Sequence, residues 1–292
     1  MEPVHIPVMR AEIIEAMKIK NSGIYVDATV GLGGHAEGIL KQAGNCTLIG
    51  IDRDESALAI ARERLREFPN VHLVQESFSH IQNAVHGLGH EVVDGILLDT
   101  GVSTLQLKSE DRGFSFLSDA PLDMRMDMNQ KLTAGDIISR YREKELADII
   151  WRYGEERFSR RIAKAITTVR RKQPIRTCSD LASIVEKVIG RRGRIHPATR
   201  TFQALRIEVN KELDELSTVI EEGTELLAQG GRMCVLSYHS LEDRIVKNTY
   251  KKLAAEGLFR IITKKPIIPG EDEKRSNRSS RSAKLRVLER VQ

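Results

Sequence analysis

The sequence Asp27-Ala28-Thr29-Val30-Gly31-Leu32-Gly33-Gly34-His35-Ala36 joins a β-type run to a helical pattern. Glycine adopts backbone angles that other residues rarely adopt, and it leaves room for a ligand beside the main chain. The first turn of the following helix adds partial positive charge. A strand, a glycine-rich turn and a helix in this order predict a cofactor site at the carboxyl end of a parallel strand.

Three acidic residues indicate the type of cofactor. The Gly-x-Gly-x-x-Ala spacing of residues 31–36 also satisfies the dinucleotide fingerprint, so the turn alone does not distinguish NAD from S-adenosylmethionine. Asp27 precedes the glycines directly, where it would repel a pyrophosphate but stabilise an ammonium and a sulfonium. Asp52 and Asp99 end two later β-type runs, and a carboxylate at Asp52 suits the ribose hydroxyls of either cofactor. Phe78, after another run, is an aromatic candidate for packing on adenine.

The first hundred residues alternate β-type and helical patterns, which predicts a parallel sheet with helices on both faces. This alternation of β-type and helical patterns then stops, and β-type runs return only near the C-terminus. The strand candidates are Tyr25–Ala28, Thr47–Ile51, Val71–Val74, Gly95–Leu98, Arg232–Tyr238, Phe259–Ile262 and Lys284–Leu288.

The interval between the fourth and fifth strands holds helix signals instead. Thr133 with Asp136, and Thr177 with Asp180, have the spacing of capping boxes. Neighbouring strands of such a sheet are normally joined by one helix and short loops. We therefore expect one sheet domain, residues 1–106 and 206–292, with an inserted helical domain, residues 107–205. The alternative is two consecutive domains, which would leave few strands for the second sheet.

Two later segments carry predictions of their own. Pro197 suits the first turn of a helix, and the helical pattern continues to Leu227 before Gly230 and Gly231. Residues 271–282 are rich in charge and serine, which predicts a mobile loop.

The composition is that of an ordinary globular protein, with 40% hydrophobic and 30% charged residues in a chain of 292. No apolar run approaches the ~20 residues that a membrane span needs. The three cysteines are far apart, which argues against a disulfide framework or a zinc site and fits a reducing cytoplasm. We therefore expect a cytoplasmic protein without a metal.

The net charge of +5 is unevenly distributed and hints at a polyanionic partner. Arg157, Arg160, Arg161 and Lys164 have helical spacing, and Arg170-Arg171-Lys172 and Arg191-Arg192-Gly193-Arg194 follow. Each run alone is equally typical of a solvated surface. Together they suit contacts to RNA phosphates, which position the nucleic acid without reading its sequence.

Motifs along the whole chain resemble those of the MraW family, the bacterial small-subunit ribosomal RNA cytosine-N4 methyltransferases. They follow one another in a single order, from the N-terminus to the C-terminus. They are HIPVM (5–9), DATVGLGGH (27–35), DRD (52–54), DTGVS (99–103), RGFSF (112–116), HPATRTFQALR (196–206), HSLEDR (239–244) and SRSAKLR (280–286).

The resemblance implies a Rossmann-like class I methyltransferase sheet with an inserted helical domain, and S-adenosylmethionine as the cofactor. It implies that the substrate is a cytidine in the decoding centre of 16S rRNA, within the small ribosomal subunit. The oligomeric state, a homodimer included, stays open. The cofactor residues carried over from the family are Gly33, Gly34, His35, Asp52, Phe78, Asp99 and Gln106.

The loop after the fourth strand departs from the family pattern. Thr100 stands where the family has leucine and Leu105 where it has proline, which leaves the loop shape around Gln106 open. The exocyclic amine of cytosine is a poor nucleophile and needs acceptors for its hydrogens. Asp99, and His239 after the fifth strand, are the candidate catalytic residues, although a lone histidine is more often structural.

Three other functions compete with this interpretation. An NAD-dependent oxidoreductase shares the fold, but Asp27 and the paired C-terminal strands disfavour it. A small-molecule methyltransferase is disfavoured by the basic runs. A non-catalytic RNA-binding factor would not need the intact glycine turn and its acids.

We predict that the protein binds S-adenosylmethionine in the micromolar range and does not bind NAD. Asp52→Ala should weaken cofactor binding by on the order of 1–3 kcal/mol, because two hydrogen bonds to the ribose are lost. Isothermal titration calorimetry measures both affinities. An unchanged affinity in the variant would contradict the assignment of Asp52 to the ribose.

Overall fold

A computed structural model of the chain describes residues 6–101, 111–190 and 195–292. The chain divides into two compact units. The first comprises Met1–Gly101 and Leu213–Gln292, and the second comprises Val102–Glu212. Of the residues and motifs named above, His5, Val102, Ser103, Leu105, Gln106 and Arg191–Arg194 lie outside the described residues.

The first unit contains all seven strands that the sequence predicts, with bounds shifted by a few residues. They are β1 (Ile24–Asp27), β2 (Thr47–Asp52), β3 (Val71–Gln75), β4 (Val93–Asp99), β5 (Leu227–Ser237), β6 (Phe259–Ile261) and β7 (Lys284–Arg290). They form one sheet in the order β3-β2-β1-β4-β5-β7-β6. The first five strands run parallel, and β7 is antiparallel to both of its neighbours. The predicted Rossmann-like α/β fold is thus confirmed.

The strand order reverses beside β1, which pairs with β2 on one side and β4 on the other. Ligands of open α/β sheets bind outside the carboxyl ends of the strands at such a reversal. Asp27, Asp52 and Asp99 are the last residues of β1, β2 and β4. The topology therefore places three carboxyl groups at the edge where a ligand is expected.

The described helices occupy both units. They are α1 (Arg10–Met17), α2 (Gly34–Gln42), α3 (Glu55–Leu65), α4 (Ile81–Gly87), α5 (Ala134–Arg140), α6 (Glu143–Gly154), α7 (Ser159–Arg170), α8 (Cys178–Ile189), α9 (Thr199–Asn210), α10 (Glu212–Leu226), α11 (Ser240–Ala255) and α12 (Glu271–Ser276). Within these described ranges, none is long and apolar enough to cross a membrane.

Apolar side chains from both faces of the sheet build the core of the first unit. One cluster includes Val26, Ile96 and Val235, and the other includes Leu48 and Leu97 from the opposite face. Alternate residues of a strand point to opposite faces, so a strand buried on both sides must be apolar almost throughout. This burial holds the strand ends, and with them the acidic edge, in fixed positions.

Residues 111–190 and 195–212 of the second unit contain helices and, apart from one isolated bridge between Pro121 and Thr177, no β-pairing. The predicted capping boxes are present at Thr133, which starts α5, and at Thr177, which starts α8. Gly190 ends α8 with a φ of 75°. The unit has its own apolar core, built around residues such as Leu146 and Leu205.

Two predictions about the later segments are wrong. The helix expected from Pro197 to Leu227 is two helices, because Lys211 adopts a left-handed conformation (φ 50°) that ends α9. The segment expected as a mobile loop, residues 271–282, forms α12 and a short 3-10 helix. The Glu273 carboxylate accepts a hydrogen bond from the Met9 backbone N–H at 2.7 Å, and the Asn277 side chain donates to the Ile6 carbonyl. Sequence composition gives no sign of these long-range anchors.

We predict that Thr177→Ala lowers the free energy of unfolding by about 1 kcal/mol. The Thr177 hydroxyl accepts the Asp180 N–H at 3.1 Å, and the variant leaves this N–H without its cap. Urea denaturation followed by circular dichroism measures the change. Thr177→Ser, which keeps the hydroxyl, should unfold like the wild type, and equal loss in both variants would contradict the capping explanation.

Candidate active site

The glycine turn lies close to the carboxyl ends of β1 and β2. Gly33 has a φ of 76°, a conformation that favours glycine. A Cβ atom on Gly34 would lie 2.6 Å from the Pro7 side chain, so only glycine fits between the turn and the N-terminal segment. The Val30 N–H donates to the Ile51 carbonyl at 2.9 Å and ties the turn to β2.

Asp27 is buried at the end of β1. Its Oδ1 accepts the Thr29 N–H at 3.3 Å, while its Oδ2 has no hydrogen-bond partner among the described residues. Burial raises the pKa of this carboxyl group to about 7; the Asp99 and Asp52 charges raise it too, and His35 opposes them. Buried carboxylate oxygens are normally hydrogen-bonded, because an unpaired one is costly.

Asp52 is held by the main chain of the turn. Its Oδ2 accepts the Gly31 N–H and its Oδ1 accepts the Asp54 N–H, both at 2.9 Å. Burial raises the pKa of Asp52, and the two backbone hydrogen bonds offset part of that rise. A carboxylate offers about four acceptor positions, so the group retains capacity for two hydroxyl groups.

Asp99 is fixed by three contacts. Its backbone N–H donates to the Thr29 hydroxyl at 2.7 Å, and its Oδ1 accepts the Tyr238 hydroxyl at 2.6 Å. Its Oδ2 lies 3.4 Å from the His35 Nε2. Burial, followed by the Asp99 charge, raises the pKa of Tyr238 well above its usual range, so the phenol remains a hydrogen-bond donor.

Tyr238 was not among the residues predicted for the site. It directly follows β5, at the same sheet edge as Asp99, and its position at the end of a predicted strand was the only available signal. Its ring also lies over Gly101, where an added Cβ would be 3.5 Å from the ring carbon Cδ2. Tyr238 thus restrains both the Asp99 carboxylate and the backbone that follows it.

His35 completes the cluster from the first turn of α2. It is buried, and neither of its ring nitrogens makes a hydrogen bond within the described part of the chain. Together with Asp27 Oδ2, these are three buried polar atoms at one edge of the sheet that lack hydrogen bonds. Because such atoms are rare in folded proteins, they indicate a site where a polar ligand supplies the missing partners.

Comparison with known proteins identifies the family. The family model described as the MraW methylase family matches residues 2–291. The chain belongs to the MraW methylase family. It is therefore a methyltransferase, and S-adenosylmethionine is its methyl donor. This assignment excludes the NAD-dependent oxidoreductase.

Individual relatives extend over nearly the whole chain. A protein of Persephonella marina named "Ribosomal RNA small subunit methyltransferase H" is 51% identical over 291 residues, covering 98% of this chain and 99% of its own. A Sulfurihydrogenibium protein of the same name is 50% identical with the same coverage. Among solved structures, an rRNA methylase from Streptococcus thermophilus has a TM-score of 0.45 and 13% identity, covering 99% of each chain. A structural similarity this low supports no conclusion about this chain.

The residues present fit S-adenosylmethionine. Asp27 and Asp99 offer negative charge for its cationic groups, and Asp52 offers acceptors for ribose hydroxyls. The hydrogen-bonding capacity left over on Asp27 and His35 is that expected of a polar binding site. Gly33 and Gly34 carry no side chains of their own, which lets Leu65 and Pro7 pack against the turn.

Phe78 lies in a 3-10 helix after β3 and is half-buried. The Arg53 guanidinium carbon lies 5.4 Å from the centre of its ring, and Arg53 forms an ion pair with Glu215 at 3.0 Å. Ser77 donates to the same Glu215 carboxylate at 3.1 Å. These contacts fix the position of Phe78 in the methylase.

His239 caps a helix. It precedes α11, and its ring accepts the Glu242 N–H at 3.4 Å in a capping box. The Glu242 carboxylate in turn accepts the backbone N–H groups of Tyr238 and His239. The capping box thus also contacts Tyr238, whose hydroxyl donates to Asp99.

We predict that Asp27→Asn removes a pH dependence of stability. The pKa of Asp27 is about 7 in the folded methylase, against an ordinary value of 3.8. Between these values the folded state retains a proton that the unfolded state has released, so the contribution to stability falls as pH rises and is lost above about pH 7. The slope is at most about 1.4 kcal/mol per pH unit.

Urea denaturation of the wild type and the variant between about pH 5 and pH 8 tests this assignment. The unfolding free energy of the wild type minus that of the variant should fall with rising pH and then level off. Parallel curves for the two proteins would refute a raised pKa at Asp27.

Proposed function

We propose that this methylase transfers a methyl group to N4 of a cytidine in the decoding centre of 16S rRNA, within the small ribosomal subunit, in the cytoplasm. The relatives at 50% and 51% identity, which bear the name of a small-subunit ribosomal RNA methyltransferase, support the class of substrate. The observation that carries the chemistry is the Asp99 carboxylate held by the Tyr238 hydroxyl at 2.6 Å.

The amine of cytosine is weakly nucleophilic because its lone pair is delocalised into the ring. S-adenosylmethionine supplies an electrophilic methyl group on a positively charged sulfur. Asp99 accepts a hydrogen bond from N4, which orients the lone pair. Asp99 then takes up the proton that N4 loses as its bond to the methyl group forms and the bond from that methyl group to sulfur breaks. Tyr238 occupies one oxygen of Asp99 and so directs the other oxygen toward the reacting amine and His35.

The remaining site residues take the roles expected from the sequence. His239 is the second catalytic candidate, positioned by its cap on α11. Asp52 holds the ribose, Phe78 packs on the adenine ring, and His35 contributes a polar group beside Asp99. The residues proposed to bind the cofactor are Gly33, Gly34, His35, Asp52, Phe78, Asp99 and Gln106.

The inserted helical domain, residues 107–205, is proposed to recognise the substrate. Arg160, Arg161 and Lys164 are exposed on α7, whereas Arg157 precedes that helix. Exposed arginine and lysine suit phosphate contacts. Arg170 has another role, because its guanidinium donates to main-chain carbonyls, including that of Tyr141 at 2.7 Å. A homodimer is compatible with this function but is not required by it.

Methyl transfer to small ribosomal subunits from a strain that lacks the enzyme tests the proposal. We expect the wild type to produce N4-methylcytidine, detected by mass spectrometry of the nucleosides and mapped to the decoding centre. Asp99→Asn should reduce the rate by at least about 100-fold, the usual contribution of a proton acceptor. Calorimetry on the same variant separates loss of chemistry from loss of cofactor binding.

The matched control is Asp94→Asn, an acid of the same strand whose carboxylate contacts Lys20 and the Ile24 N–H instead of the site. It should retain catalysis if it folds, as judged by circular dichroism. Methylation of a different base or atom by the wild type would overturn the cytidine-N4 assignment, and full activity in Asp99→Asn would overturn the role of Asp99.

A further inference from the structure

Two sequence motifs meet in the first unit, beside the proposed site. HSLEDR (239–244) begins α11, and SRSAKLR (280–286) leads into β7. Asp243 joins them, because its carboxylate accepts hydrogen bonds from Arg286 at 2.6 Å and from Lys284 at 3.2 Å. These contacts fix the two motifs against each other.

A cavity of about 330 Å³ lies where the motifs meet. Its volume is within the range of small-molecule sites, roughly 300–1,000 Å³. None of the residues that line it, all of them described, is acidic, although the chain contains 41 aspartates and glutamates. The lining residues are Tyr238, His239, Ser240, Ile268, Pro269, Lys274, Arg281, Ser282, Ala283 and Lys284.

Three cationic side chains make this cavity suitable for an anion. Arg281 donates from Nε to the Lys274 carbonyl at 3.1 Å, and its terminal nitrogens make no hydrogen bond to any described residue. Lys274 pairs with the exposed Glu271 at 2.8 Å, a surface ion pair that contributes little and can be exchanged. Lys284 shares Asp243 with Arg286 and so keeps further donor capacity.

The position of the cavity relates it to the proposed chemistry. Tyr238 lines it and also donates its hydroxyl to Asp99, so one side chain separates the cavity from the proposed acceptor. Enzymes that modify a base within structured nucleic acid take that base out of its stack into a pocket. The phosphate attached to such a nucleotide must then be held beside the pocket.

We propose that this cavity binds a backbone phosphate of the RNA strand whose base is methylated, with Arg281 and Lys274 as its main ligands. The inference rests on the proposed function. It assigns a role to α12 and the 3-10 helix that follows, which carry these two residues. Contacts to RNA phosphates then come both from the inserted domain and from the C-terminal segment of the sheet domain.

The test compares Arg281→Gln and Lys274→Gln with the matched control Arg278→Gln. Arg278 is an exposed arginine of the same 3-10 helix and does not line the cavity. The substrate is unmethylated small ribosomal subunits, and the readouts are KM, kcat and the salt dependence of binding. Calorimetry with S-adenosylmethionine monitors the cofactor site.

We expect Arg281→Gln to raise KM for the subunits at least about fivefold and to flatten the slope of log affinity against log salt by nearly 1, the value for one lost phosphate contact. Lys274→Gln should act in the same direction, and cofactor affinity should stay unchanged in both. Arg278→Gln should match the wild type.

Suppose that the wild type methylates RNA, but that Arg281→Gln and Arg278→Gln have equal KM values and equal salt slopes. This result would overturn the phosphate site. A wild type that methylates no RNA would overturn the proposed function and this inference together. Competition by inorganic phosphate alone, without any effect of the variants on RNA, would show a site for free anions and would also overturn the assignment to the RNA backbone.

Discussion

Three carboxyl groups lie at one edge of the sheet, and the balance of their charges governs the site. Asp27, Asp52 and Asp99 end neighbouring parallel strands. The fold therefore brings them together even though their negative charges repel one another. Backbone N–H groups stabilise Asp52, and Tyr238 stabilises Asp99. Asp27 accepts a single weak hydrogen bond from the described part of the chain, and burial raises its pKa to about 7. A cationic ligand would relieve this concentration of negative charge.

The same balance explains why a methyl donor suits this edge better than a dinucleotide. The glycine turn would admit either ligand, because its Gly-x-Gly-x-x-Ala spacing also satisfies the dinucleotide fingerprint. A pyrophosphate beside Asp27 would add to the repulsion, whereas a sulfonium and an ammonium reduce it. The chain belongs to the MraW methylase family, which agrees with the charge distribution at this edge.

Much of the fold was predictable because it depends on local patterns. The seven strands follow β-type runs, and the capping boxes at Thr133 and Thr177 follow a fixed three-residue spacing. The break at Lys211 was not predictable, because a lysine with positive φ has no distinctive sequence pattern. The order in residues 271–282 was missed for another reason. It depends on hydrogen bonds to Met9 and Ile6, which are far away in the sequence.

In the candidate site too, local patterns predicted some features, whereas features that depend on long-range contacts were missed. The strand-end acids were found from the sequence, since parallel strands bring their carboxyl ends to one edge. Tyr238 was missed because its bond to Asp99 joins residues 139 positions apart in the chain. The cavity beside it was missed too. Its cationic side chains belong to α12 (Lys274) and to the SRSAKLR motif (Arg281 and Lys284), and the antiparallel pairing of β7 brings that motif to β5.

A crystal structure of this methylase with S-adenosylhomocysteine bound would test the electrostatic explanation of the site. The ligand should lie at the carboxyl ends of β1, β2 and β4, with its ribose hydroxyls on Asp52 and its ammonium group beside Asp27 or Asp99. Asp27 Oδ2 or the ring of His35 should gain the hydrogen bond, direct or through water, that each lacks among the described residues. A ligand bound away from these carboxylates, or one that leaves all three buried atoms without partners, would contradict it.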